Sequence, residues 1–175
     1  GRRGEGASTG AARGPEPRGA TTYSSTATSR GRKHTPQVVT LAKCANATIF
    51  LAKDLKLVKL FLEDCADCVI RLHCALVTSF VEASRCTGTT LETAALLHTV
   101  QCDLCERLTV RWLKPEVFDA AAPDGPRVYS AACRALTVDA GRGRTATADN
   151  LDDAVAGSGV AADEQQFVTQ LVGAA

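Results

Sequence analysis

Five cysteines, Cys44, Cys65, Cys86, Cys105 and Cys133, each stand at the centre of the same apolar frame. With each cysteine as position zero, positions −5, −3, 0, +3, +5 and +7 read Val39-Leu41-Cys44-Ala47-Ile49-Leu51 in the first frame and Leu60-Leu62-Cys65-Cys68-Ile70-Leu72 in the second. Over the five frames, 27 of these 30 positions are apolar, counting Ala and Cys, against 11 of the 35 positions between them. Alternation within each half-frame is the period of a strand with one buried face. The step of three on either side of the cysteine breaks that period, so each frame is two short strands meeting at a corner. The cysteines are 21, 21, 19 and 28 residues apart. A unit of about 20 residues that turns and returns to the same register is one rung of a solenoid, with rungs about 4.8 Å apart. The expectation is an all-β parallel β-helix of about five to six rungs, with the five cysteines stacked as an inward ladder.

Two other patterns compete for the same residues. Leu57-x-x-Leu60-x-Leu62-x-x-Cys65 opens like a leucine-rich repeat. That repeat needs Leu two residues after the Cys, where this chain has Asn46, Asp67, Gly88, Arg107 and Ala135. Cys65-x-x-Cys68 with Cys102-x-x-Cys105 imitates a four-cysteine zinc site. In the frame, however, Cys65 and Cys105 share one column two rungs apart, roughly 10 Å, and zinc needs its four sulfurs within about 2.3 Å of the metal. Buried thiols filling a narrow interior are expected instead, with no metal and no cofactor. His34, His73 and His98 show no spacing for metal binding or a triad. No nucleophile elbow, phosphate loop or dinucleotide turn is present, so the chain is not expected to be an enzyme.

Composition sets the organisation around the repeats. Residues 1–36 are a Gly/Ser/Thr/Pro-rich stretch with seven basic and two acidic side chains, read as a linker or tail. Residues 37–144 hold the β-helix, with a Pro-rich loop at 114–126, and residues 145–175 form an acidic connector and a C-terminal strand with five acidic and no basic side chains. Dispersed charges with one aromatic residue make the basic tail a weak nucleic-acid signature, so no nucleic-acid partner is expected. No uncharged apolar stretch approaches the roughly 18 residues of a membrane-spanning helix, and no membrane partner is expected. The first residues lack the apolar core of a signal peptide. Free thiols in a reducing, cytoplasmic compartment are therefore expected, and the sequon Asn46-Ala47-Thr48 is a coincidence. The absence of Met suggests an excerpt from a longer chain.

Outward-facing charge is the remaining functional feature. Lys53, Lys56 and Lys59 lie between the first two frames, and Arg71, Glu92 and Arg111 all fall at position +6, in one outward column. Lys53, Lys56, Lys59, Arg71 and Arg111 are the candidate partner-binding residues.

The runs KCANATIFLAKDLKLVKLFLEDCADCVIRL, VTSFVEASRCTGTTLE and EQQFVTQLV resemble the carboxy-terminal domain of cyclase-associated proteins, over roughly residues 37–113 and 162–172. The resemblance implies a right-handed β-helix that binds monomeric actin and promotes nucleotide exchange on it, hence a place in the cytoskeleton. The family's dimerisation strands are absent from this chain, so a monomer or a different assembly is expected. A sister branch, the tubulin cofactor C group, activates GTPases with an arginine finger one residue after position −5. Thr40, Phe61, Glu82, Gln101 and Tyr129 occupy that place here, and none supplies a cation; Arg85 is the nearest candidate, at the corner. A structural scaffold in a microtubule-based or ciliary assembly is the remaining alternative.

Overall fold

The computed structural model describes residues 36–120, 125–149 and 166–171. Expectations for residues 1–35, and for the acidic connector between 150 and 165, lie outside the described residues. The chain forms a β-helix. Each frame supplies two strands: β1 (Gln37–Ala42) and β2 (Thr48–Leu51), β3 (Leu57–Glu63) and β4 (Val69–Leu72), β5 (Phe80–Ser84) and β6 (Thr90–Thr93), β7 (Thr99–Asp103) and β8 (Thr109–Trp112), β9 (Arg127–Ala131) and β10 (Leu136–Asp139). The first member of each pair stacks in one parallel sheet and the second in another, so five coils make four full turns from β1 to β9. Two further strands run antiparallel on the last coil: β11 (Thr145–Ala148) on β10 and β12 (Phe167–Gln170) on β9.

Register follows the frame. Leu60 pairs with Val81 and Val81 with Val100, while Ile70 pairs with Leu91 and Leu91 with Val110, so equivalent inward residues lie above one another. Of the 30 frame positions, 26 are buried, and the four that are only half-buried, Val39, Leu41, Cys44 and Ala47, all belong to the first coil. The three polar frame residues, Thr89, Thr93 and Ser130, are buried as well. Thr89 Oγ1 donates to the Cys65 carbonyl at 3.2 Å, and Thr93 Oγ1 accepts from the Ala95 amide at 3.1 Å, which meets the cost of burying a hydroxyl.

The corner has a fixed backbone grammar. The residues one before and two after each cysteine are left-handed: Lys43 and Asn46, Asp64 and Asp67, Arg85 and Gly88, Leu104 and Arg107, Ala132 and Ala135. The positions that lack the Leu of a leucine-rich repeat are thus the second left-handed residues of the corners. Left-handed conformation costs an ordinary residue roughly 1–2 kcal/mol, less for Asn, Asp and Gly. Each such amide in the first four coils donates to a carbonyl of the next coil, as from Lys43 to Glu63 at 2.8 Å and from Gly88 to Glu106 at 2.9 Å.

The third side of each coil carries the variation in repeat length. Eight, eight, six and fifteen residues separate position +7 of one frame from position −5 of the next. The longest of these segments, read from sequence as a loop, contains a short helix α1 (Pro115–Asp119) with proline in its first turn. Phe118 on this helix is buried edge-on against Trp112, with ring centroids 5.1 Å apart.

The corner grammar predicts opposite effects for two glycine–alanine exchanges. Ala135→Gly relieves a left-handed alanine and is expected to raise stability by about 0.5–1 kcal/mol, whereas Gly88→Ala lowers it by about 1 kcal/mol. Urea unfolding midpoints of the two variants test this.

Candidate functional site

The cysteine ladder faces inward, buried in four coils and half-buried in the first. Each ladder thiol donates to the carbonyl two residues before it, from 3.4 Å at Cys105 to 3.7 Å at Cys44. Three of them also reach back to the preceding coil: Cys65 to Leu41 at 3.3 Å, Cys105 to Ala83 at 3.6 Å and Cys133 to Cys102 at 3.2 Å. A small, weakly donating side chain suits a corner crowded with carbonyl groups. Burial pushes the Cys65 thiol up to about 12 and raises Cys102 well above the ordinary thiol range. Cys44 in the first coil is half-buried and the other seven cysteines are buried. Cys65 and Cys105 stand two coils apart in the column, with Cys86 between them. Among the described residues, no three His, Cys, Asp or Glu side chains converge as metal ligands.

The candidate partner-binding residues separate into two groups. Arg71 and Arg111 lie in the outward column Phe50, Arg71, Glu92, Arg111, Asp139, whose charges alternate along the second sheet. Arg71 Nε meets Glu92 at 2.9 Å, and Arg111 meets Glu92 at 3.5 Å and Asp139 at 3.0 Å. Lys59, on the outer face of the first sheet, donates to Glu82 at 2.9 Å and sits 4.2 Å from the ring centroids of both Phe61 and Phe80. These three cations are engaged by the fold's own acids and aromatic rings. Exposed pairs of this kind contribute about 0–1 kcal/mol each.

Lys53 and Lys56 are different. Both are exposed in the turn between β2 and β3, and neither makes an ion pair among the described residues. They share the first coil with a third lysine that the frame did not single out, Lys43, exposed at the first corner. Lys43 lies one coil from Asp64, whose carboxyl is held below the usual carboxylate range chiefly by its hydrogen bond from Arg85, at 2.6 Å. The signal for Lys43 was present in the frame: the column through Lys43, Asp64 and Arg85 gives Asp64 a cation on each side and leaves Lys43 at the end.

The first coil is also where the core is open. β1 and β2 are the edge strands of the two sheets, whereas the last coil is covered by β11 and β12. A depression of about 480 Å³ crosses the open end, lined by Thr40, Leu41, Lys43, Cys44, Ala47 and Ile49 among others. Beside it, Phe50 is 48% exposed and packs at a tilt against His73 with centroids 4.7 Å apart, and Val38 is 57% exposed. His98 is exposed on the third side. The arginine-finger positions Thr40, Phe61, Glu82, Gln101 and Tyr129 form one column on the outer face of the first sheet, and Arg85 is paired with Asp64. Among the described residues, no helix is long and apolar enough to cross a membrane. Comparison with family models, curated proteins and solved structures finds no match for this chain.

Two outcomes follow from the thiol environments. Iodoacetamide on the folded protein is expected to modify Cys44 first and the other seven cysteines only after unfolding, as read by peptide mass spectrometry. Because burial raises the Cys65 pKa, its contribution to stability is complete below about pH 8.5, the value of an unburied thiol, and is lost as pH rises toward 12. The urea midpoint is expected to fall between about pH 8.5 and pH 11, and to fall less in Cys65→Ala.

Proposed function

We propose that this domain is a non-catalytic protein-interaction module of the cytoskeleton, that its partner is monomeric actin, and that it regulates actin turnover through this contact. The observation that carries an interaction role is the first coil, where Lys53 and Lys56 make no ion pair among the described residues and Lys43 shares its column neighbour Asp64 with Arg85, beside a half-covered apolar core. Elsewhere the outward arginines and Lys59 are matched within the fold. Unmatched charge around an apolar centre suits a partner of opposite sign, since it steers encounter while the apolar part supplies affinity. The choice of actin rests on the resemblance of the quoted repeats to cyclase-associated proteins, which implies a cytoplasmic, cytoskeletal location; a cilium goes with the scaffold alternative.

Titration of fluorescently labelled ADP-bound monomeric actin with the domain at two salt concentrations tests this. Saturable binding that weakens with salt, and falls about tenfold or more in Lys53→Glu/Lys56→Glu, is the expected result. Absence of binding at tens of micromolar overturns the actin assignment in favour of the scaffold role.

A further inference from the structure

The two ends of the solenoid are finished differently, and the difference marks a site. At the far end both sheets terminate in an antiparallel strand, β11 on β10 and β12 on β9, and every frame residue of the last coil is buried. At the near end the inward residues Val39, Leu41, Cys44 and Ala47 remain half-buried, and β1 and β2 have no outer neighbour among the described residues. Bonds from the Val69 amide to the Ala47 carbonyl and from the His73 amide to the Leu51 carbonyl set the phase of the β2–β4 ladder. With that phase, the backbone groups of Ile49 and Leu51 face β4, and those of Thr48 and Phe50 face the open side. An open edge of this kind is a template for a further strand.

The charges around it select the occupant. Lys43 stands at the corner before β2, and Lys53 and Lys56 stand with Asp54 in the turn after it, so the edge carries an excess of positive charge at both ends. A second copy placed near end to near end would bring like charges together. The chain's own upstream residues do not continue the frame: one repeat earlier it would fall on Arg18, Ala20, Tyr23, Thr26, Thr28 and Arg30, with an arginine at each inward extreme. We propose that the β2 edge binds an extended segment of a partner protein, with alternating β-branched residues at its centre and acidic residues at both ends. Its inward side chains continue the column of Ile49 and Leu51 and pass beside the half-buried Ala47, one outward side chain lies beside the exposed Phe50 ring, and its acidic ends reach Lys43 on one side and Lys53 with Lys56 on the other. This rests on the domain being a partner-binding module and not on actin being the partner.

The probe is a synthetic amidated nonapeptide of alternating valine and threonine with two aspartates at each end, carrying a fluorophore and followed by anisotropy. A control peptide has the same centre with lysine flanks. Saturable binding of the aspartate peptide, at least tenfold tighter than the control and at least tenfold weaker in Lys43→Glu/Lys53→Glu, supports the site. Thr48→Pro removes an edge amide without breaking the ladder to β4, so it is expected to abolish binding while the circular dichroism spectrum is retained. Equal binding of both peptides, or binding unaffected by Thr48→Pro, overturns the strand site. Binding of neither peptide overturns it too, the lysines then serving to keep other strands off the edge. A salt-resistant dimer of the domain alone, lost in Thr48→Pro, assigns the edge to a second copy and overturns the proposal. A domain that takes the peptide but ignores actin loses only its actin assignment, while actin binding indifferent to Thr48→Pro, without peptide binding, removes only the strand site.

Discussion

The corner between the two sheets is the constraint on which the rest of this molecule depends. A parallel β-helix must turn its backbone sharply in every coil without leaving amides unpaired, because an unsatisfied amide beside the core costs about as much as several buried methylenes return. Here the turn is made by two left-handed residues flanking a cysteine and its neighbour. The amides of those left-handed residues, in each of the first four coils, donate to the next coil. The strain of each corner is therefore offset by the stack above it. The isolated bridges from Ala45 to Ala66, Thr87, Glu106 and Arg134 carry the same stacking around the bend. Cysteine suits the pivot because its thiol is small and its weak donor meets a carbonyl that the turn leaves nearby.

Stacking identical frames brings equivalent outward residues into columns, and charge must then be arranged along them. Arg71, Glu92, Arg111 and Asp139 alternate in sign, and Asp64 with Arg85 does the same at the corner. Like charges at the strand spacing would repel across about 4.8 Å, so alternation is what a soluble stack requires. A column that alternates still has a first member. At the near end the first members are Phe50 and Lys43, which is why an exposed ring and a cation that shares its one column neighbour, Asp64, with Arg85 appear together beside the open core.

Much of this was legible before any coordinates. The frame around the cysteines located the strands of all five coils and identified inward residues that are buried in the second to fifth coils, because burial on one face leaves a period of two in the sequence. The helix Pro115–Asp119 left no comparable trace: five residues give too little periodicity to register, and Phe118 is apolar for the sake of Trp112, a partner outside its own segment. The candidate site was partly legible. Lys53 and Lys56 were visible as clustered charge, but Lys59, in the same run, is enclosed by Phe61, Phe80 and Glu82. Lys43 looked like one corner residue among five.

The repeat, the alternation of its strands and the identity of the inward ladder are written in the chain, since each of these is a local preference printed once per coil. Which charges are matched and which end is covered are set by the stacking of the coils. Those outcomes depend on residues about 20 positions apart becoming neighbours, and on β11 and β12 closing one end while β1 and β2 stay at the edge of the other. Lys59 and Lys53 have the same chemistry in the chain, and the coil stacked above each makes one a part of the fold and leaves the other open to a partner.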